Sequence, residues 1–194
     1  MTTPVAPVGR DEVVAAVLTH AADLFAERGP AATSIRDVAA RSGVNHGLVF
    51  RHLGTKDQLV GAVLDHLAQQ LAALLEAGAP RQDIEAASER QWKVLARTIL
   101  DGFAVGELQH RFPGAAMVVD TARQHHADET AARIAAANSI ALHMGWRLFE
   151  PFLRSATGLG DLTETGLRAA VDSCAAGLLG TSPSGDEGTA PPIL

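Results

Sequence analysis

The chain has 194 residues, 47% of them hydrophobic, which is enough for one ordinary domain or two small helical ones and too apolar for a disordered chain. A single cysteine, Cys174, excludes an intrachain disulfide framework and a cysteine-rich zinc module. The net charge of −6 is unevenly spread: residues 28–57 hold five Lys/Arg against two acids, whereas 61–194 hold ten against sixteen. A small basic segment attached to an acidic body is the layout that a function has to explain. No run reaches the ~18–20 apolar residues of a membrane span, and the opening MTTPVAPVGRDE lacks the apolar core of a secretory signal.

The periodicity is helical throughout, and β-branched alternation is almost absent. Val14, Val17, Leu18, Ala21, Leu24 and Phe25 share one face of a first helix over 11–28, which stops at Gly29-Pro30. Thr33-Ser34 is good N-cap chemistry, with Asp37 three residues after Ser34, and opens a short helix over 35–41 that buries Ile35, Val38 and Ala39. Ser42-Gly43 ends it. Asn45 can cap a second short helix to Leu53, and after Gly54, Thr55 can cap a long one that starts at Lys56. That long helix carries the stripe Leu59, Val63, Leu67, Leu71, Leu74 and ends near Gly78-Ala79-Pro80.

Further helices are expected over 81–101, with Trp92, Leu95, Ile99 and Phe103 on a stripe, then over 114–136, 138–157 and 162–179. Residues 110–114 read as a loop, and Pro151 predicts a kink or a break. From Thr181 the sequence TSPSGDEGTAPP has no apolar face and reads as a disordered tail. The fold class is therefore all-α, with three short-spaced helices at the amino end and a helical body after them.

Residues 34–53 have the grammar of a helix-turn-helix: a capped short helix, a glycine turn and a second short helix. A second helix that is polar and small at its start fits the major groove, which admits one α-helix. Asn45, His46 and Gly47 form that leading edge. Asn offers a bidentate contact to adenine, His donates to guanine or phosphate, and Gly47 lets the backbone approach closely. Lys56, Thr33 and Ser34 sit at helix starts, where amides and the helix dipole attract phosphate. The same topology occurs in helical proteins that never touch DNA, so an all-helical small-molecule-binding or scaffold protein is the alternative reading.

The segment TSIRDVAARSGVNHGLVFRHLGTKDQL (33–59) resembles the DNA-binding module of the TetR family of transcriptional repressors. The resemblance covers the turn Gly43-Val44, Gly47, the core positions Val49 and Leu53, His52, and Lys56 with Leu59, about 50 residues with the flanking helices. It implies a helix-turn-helix head over 8–55, a ligand-binding and dimerisation body over 56–180, and a cytoplasmic bacterial repressor. Such a protein binds a palindromic operator as a homodimer and leaves it when a small molecule binds. The DNA contacts it implies are Thr33, Ser34, Arg36, Asn45, His46, Gly47, Leu48, Phe50, Arg51, His52 and Lys56. Phe50 stands where the family usually has a tyrosine whose hydroxyl reaches a phosphate, and this chain has no tyrosine. Leu48 is larger than the residue common there and is the expected contact for a thymine methyl.

In the family, the last two helices usually make the dimer interface. Leu167, Val171, Cys174 and Leu178 follow a suitable stripe here, with Ala170 and Gly177 small beside it and Cys174 expected as a buried, inert thiol. The resemblance also implies an effector pocket, for which Trp92, Leu95, Ile99, Met117, Met144 and Phe149 are candidate walls, suited to a lipophilic or aromatic ligand. Of the body histidines, His125 with Glu129 is the one plausible helical metal pair, and a solvated turn is the preferred reading. No cofactor is called for. Neither G-x-S-x-G nor H-E-x-x-H occurs, and no glycine-rich phosphate loop follows a strand, so no enzyme is expected.

Overall fold

The computed structural model of the chain describes residues 9–181, all of whose regular elements are helices. In chain order these are α1 (Arg10–Arg28), α2 (Ile35–Ser42), α3 (His46–Leu53), α4 (Lys56–Glu76), α5 (Arg81–Leu100), α6 (Val105–Leu108), α7 (Pro113–Arg123), α8 (Glu129–Thr157) and α9 (Glu164–Leu179). The expected tail lies outside the described residues from 182 onward. Among the described residues, no helix is long and apolar enough to cross a membrane.

The chain divides into two compact units that meet between Phe112 and Pro113. The expected functional parts, 8–55 and 56–180, do not coincide with these units, because the inner face of α4 completes the core of the amino-terminal helices. Val17, Phe25, Val38, Val49, Leu59, Val60, Val63 and Val94 are all 0% exposed and form one cluster drawn from α1 to α5. Full burial of one such side chain is worth roughly 1.5–3 kcal/mol, so the short helices α2 and α3 are held by this shared core rather than by their own propensity. Polar ties add to it. Asp101, just past α5, accepts from the Ala31 amide at 2.7 Å, and Arg90 of α5 donates to Asp23 of α1 at 2.6 Å. Asp65 of α4 accepts from the amides of His110 and Arg111 at 2.9 and 2.7 Å, which fastens the end of this unit.

The turn between α2 and α3 depends on one glycine. Gly43 adopts φ 67°, ψ 23°, a left-handed conformation that a side chain disfavours. Its amide reaches the Ala40 carbonyl at 3.3 Å, and the Val44 amide reaches the Ala39 carbonyl at 3.1 Å. That paired closure ends α2, and half-buried Val44 packs on the shared core.

Three expectations, on the extents of α7 and α8 and on the inward face of α5, need correcting. The helix over 114–136 is interrupted: α7 ends at Arg123, residues 124–128 form a turn, and Asp128 caps α8 by accepting from the Ala131 amide at 2.8 Å. No break follows at 137–138, because Ala135, Ala136 and Ser139 are buried and the continuous face they form outweighs weak local propensity. Of the two outcomes expected at Pro151, a break is excluded, since the residue lies inside α8. In α5, Ile99 is exposed and Phe103 lies beyond the helix end, whereas Ile84, Ser88, Trp92, Val94 and Thr98 are buried. The short α6 was not foreseen; four residues are too few for a periodic signal.

In the second unit, α7 and α9 both pack on α8. The buried face of α9 is Leu167, Val171, Ala175 and Leu179, so the expected stripe splits. Leu167 and Val171 point inward, while Ala170, Cys174, Gly177 and Leu178 lie exposed in the single chain. Cys174 is therefore not a core thiol. His143 is buried between α8 and α9, with Nδ1 against the Ser139 carbonyl at 2.9 Å and Nε2 facing Asp172 at 3.4 Å.

Candidate nucleic-acid interface

Three helix starts in the first unit are capped by their own side chains, and each cap fixes where the first backbone N–H groups point. At α2, the Asp37 amide donates to Ser34 Oγ at 3.1 Å and the Ser34 amide donates to Asp37 Oδ2 at 2.8 Å. At α4, Thr55 and Gln58 repeat this reciprocal arrangement at 2.8 and 3.3 Å. At α3, the Gly47 amide donates to Asn45 Oδ1 at 2.8 Å. The Asp37 carboxyl is held below its usual range by the amide and hydroxyl of Ser34, with smaller contributions from the charges of Arg28 and Lys56.

Helix α3 has two chemically distinct faces. Val49 is fully buried, and Leu48 and Leu53 are half-buried against the core. On the other side His46, Gly47, Phe50 and Arg51 are exposed, with Phe50 59% accessible. Positions 46, 47, 50 and 51 are related by steps of three and four, so they form one continuous outward face. Asn45 stands exposed at the start of that face and His52 is half-buried at its flank.

The charges nearby are partly neutralised within the fold. Arg28 pairs with Asp37 at 3.1 Å, and Arg41 grips Glu27 with both contacts under 3 Å, at 2.8 and 2.7 Å. Among the described residues Arg36 and Arg51 are exposed and pair with no carboxylate.

Two of the expected contacts are otherwise engaged. Thr33 is 2% exposed, and its hydroxyl donates to the Gly29 carbonyl at 2.8 Å, so its side chain is structural. Half-buried Lys56 donates to the Thr33 carbonyl and lies over the Phe25 ring, 5.2 Å from its centre. Burial lowers the Lys56 pKa, against the favourable field of Asp37. The ammonium thus ties the start of α4 to the turn before α2 and has other N–H donors left over. Leu48 is partly buried against the core and partly presented outward. The Asn45 side chain caps its own helix through Oδ1, which has a second lone pair, and its amide N–H donors remain available. Asp101, which the sequence did not single out, anchors the Ala31 amide beside this surface; nothing local announces a contact spanning 70 residues.

The expected effector walls are divided between the two units. Trp92, Leu95 and Ile99 belong to the first unit and Met117, Met144 and Phe149 to the second. Trp92 is buried, Leu95 and Met144 are half-buried, and Ile99, Met117 and Phe149 are exposed by 50%, 45% and 57%. A shallow cleft of about 180 Å³ lies between α4 and α5, lined by Leu67, Gln70, Ala86, Ala87 and Arg90. The histidine–acid metal pair is also dissolved. His125 sits in the turn before α8, and Glu129 accepts from Arg123 at 2.6 and 2.9 Å and from Arg133 at 2.7 Å. Those guanidinium groups hold the Glu129 pKa down at about 2.

The family model described as bacterial regulatory proteins, tetR family, matches residues 17–63, from mid-α1 into α4. The chain is 59% identical over 173 residues to the HTH-type transcriptional repressor Rv3405c of Mycobacterium tuberculosis H37Rv, which covers 89% of this chain and 92% of that protein. It belongs to the tetR family of bacterial regulatory proteins. The HTH-type transcriptional regulator Mb3439c of Mycobacterium bovis matches at the same 59% identity over the same 89% and 92%. A shorter likeness, 39% over 62 residues, links this tetR-family chain to the HTH-type transcriptional repressor KstR2 of Mycolicibacterium smegmatis, over 32% of this chain and 29% of that one. The helix-turn-helix of this DNA-binding regulator of transcription is α2, the Gly43 turn and α3.

Proposed function

We propose that the chain is a cytoplasmic repressor that binds a two-fold-related operator as a homodimer and leaves it when a small molecule occupies the body. The observation that carries this reading is the outward face of α3. His46, Gly47, Phe50 and Arg51 are exposed there while the opposite side of the same short helix is fixed to the core. In the complex α3 lies in the major groove, with Asn45 and His46 on base edges and Gly47 permitting close approach. Ser34 with the α2 amides, Arg36, Arg51, His52 and the spare donors of Lys56 hold phosphates and set the register.

The division of labour is a head over 8–55 that reads DNA and a body over 56–180 that pairs and senses. The outer face of α9, comprising Ala170, Cys174, Gly177 and Leu178, meets a second copy, which sets two α3 helices on one side of the duplex. Repression is supported by the name of the relative that matches over nearly its whole length. An effector of lipophilic or aromatic character suits the mostly apolar candidate walls.

The test is binding of the purified protein to DNA from upstream of its own gene, against scrambled duplex, at two salt concentrations. Specific retention that weakens steeply with salt supports the reading. Equal, weak retention of both duplexes, followed by no enrichment from a random library, overturns it in favour of a helical binding protein.

A further inference from the structure

Among the described residues of α1 to α4, Phe50 is the one large apolar side chain that stays exposed, at 59%. It follows His46 by four residues and Gly47 by three, so it stands in the middle of the outward face, next to unpaired Arg51. The fold gives no reason for it. The core under α3 is completed by Val49, with Leu48 and Leu53 packed beside it, and none of these needs the Phe50 ring in order to be covered. A phenyl ring can neither donate nor accept a conventional hydrogen bond, so it cannot hold a phosphate oxygen or a polar base edge. The edges of base pairs in the major groove carry one apolar group, the C5 methyl of thymine.

We infer that Phe50 is a specificity-determining residue, whose ring covers the C5 methyl of a thymine in each half-site. Leu48, the other apolar residue on α3 near this face, is engaged with the core and does not take that role. The inference rests on α3 being the DNA-reading helix, and it names the chemical group that this helix selects.

The experiment starts from a duplex enriched by the full-length protein from a random library. Each thymine is then replaced in turn by deoxyuridine, which removes the methyl and keeps every hydrogen-bonding edge. One thymine per half-site shows about a fourfold loss of affinity on replacement, the equivalent of burying one methyl group. Phe50→Ala binds the thymine and uracil duplexes equally, and Phe50→Leu keeps part of the preference. Because the ring is exposed, both variants melt like the parent, so lost discrimination is not lost folding. Indifference of the parent protein to uracil at every position overturns the inference, and so does a full uracil penalty that persists in Phe50→Ala. Failure to enrich any sequence is a separate result: it removes the DNA-reading assignment itself, and the role of Phe50 with it.

Discussion

Ser34 and Asp37 satisfy each other's backbone amides at the start of α2, and this small reciprocal contact controls both the stability of the head and the direction of the amides beside the DNA surface. Ser34→Ala removes an N-cap and is expected to cost about 1 kcal/mol, read as a lower thermal midpoint. Asp37 adds a pH signature. Its folded pKa lies below the ordinary 3.8, first through the Ser34 backbone hydrogen bond, then through the Ser34 hydroxyl, and then through Arg28 and Lys56. A depressed carboxyl contributes stability that is fully present above the unfolded value and is lost as pH falls through the folded one. Asp37→Asn is therefore expected to lower the midpoint near neutral pH and to shrink the gap from the parent protein as pH drops below about 4. Equal midpoints at pH 7, or a gap that widens on acidification, would refute this. The Ser34–Asp37 pair was legible because its spacing is local. The engagement of Lys56 was not, since it depends on a carbonyl and a ring brought in from other parts of the chain.

Helix α4 approaches α6 at Gly61, where a Cβ would collide with the Leu108 carbonyl oxygen. That oxygen belongs to the backbone, and the segment after it is fixed by the bonds from His110 and Arg111 to Asp65, so it cannot simply swing aside. Gly61→Ala is expected to destabilise by about 1–3 kcal/mol, in the range of core overpacking. Gly106→Ala, with nothing within 4 Å of its would-be Cβ, leaves the midpoint near that of the parent. Comparable denaturant midpoints for the two variants would show that α6 is not held against α4 in solution. The same contrast explains what was readable at this scale. The apolar stripes of α1, α2 and α4, with their caps and glycine stops, identified the head, because the inward face there follows the 3.6-residue period closely. The body was harder. In α8, alanine fills both buried positions such as Ala132 and Ala136 and exposed ones such as Ala131 and Ala137, so composition does not mark its inward face. The α6 approach rests on a glycine whose partner lies 47 positions away.

Charge and symmetry act on the whole molecule together: the net charge of −6 opposes DNA, and a head with an excess of three positive charges over 28–57 cannot by itself bind both tightly and selectively. The proposed pairing of two heads would resolve this, because the second contact becomes intramolecular once the first has formed. The surface proposed for the pairing lies on α9, where Leu167, Val171, Ala175 and Leu179 at four-residue steps face the chain's own core. Ala170, Cys174, Gly177 and Leu178 are left outward, with Leu178 38% exposed. Three of these four side chains are small or absent, which allows two helices to come close, and Leu178 supplies the apolar contact. In an interface with a two-fold axis every substitution enters twice, so Leu178→Glu brings two carboxylates onto one apolar surface. Sedimentation equilibrium is expected to show the variant at half the parent mass, with helical content retained because Leu178 is not part of the chain's own core. Affinity for an operator with two half-sites should fall by on the order of 10²-fold or more, while affinity for an isolated half-site stays the same. A variant of full mass with undiminished operator affinity would remove α9 from the interface and leave its outer face without a partner.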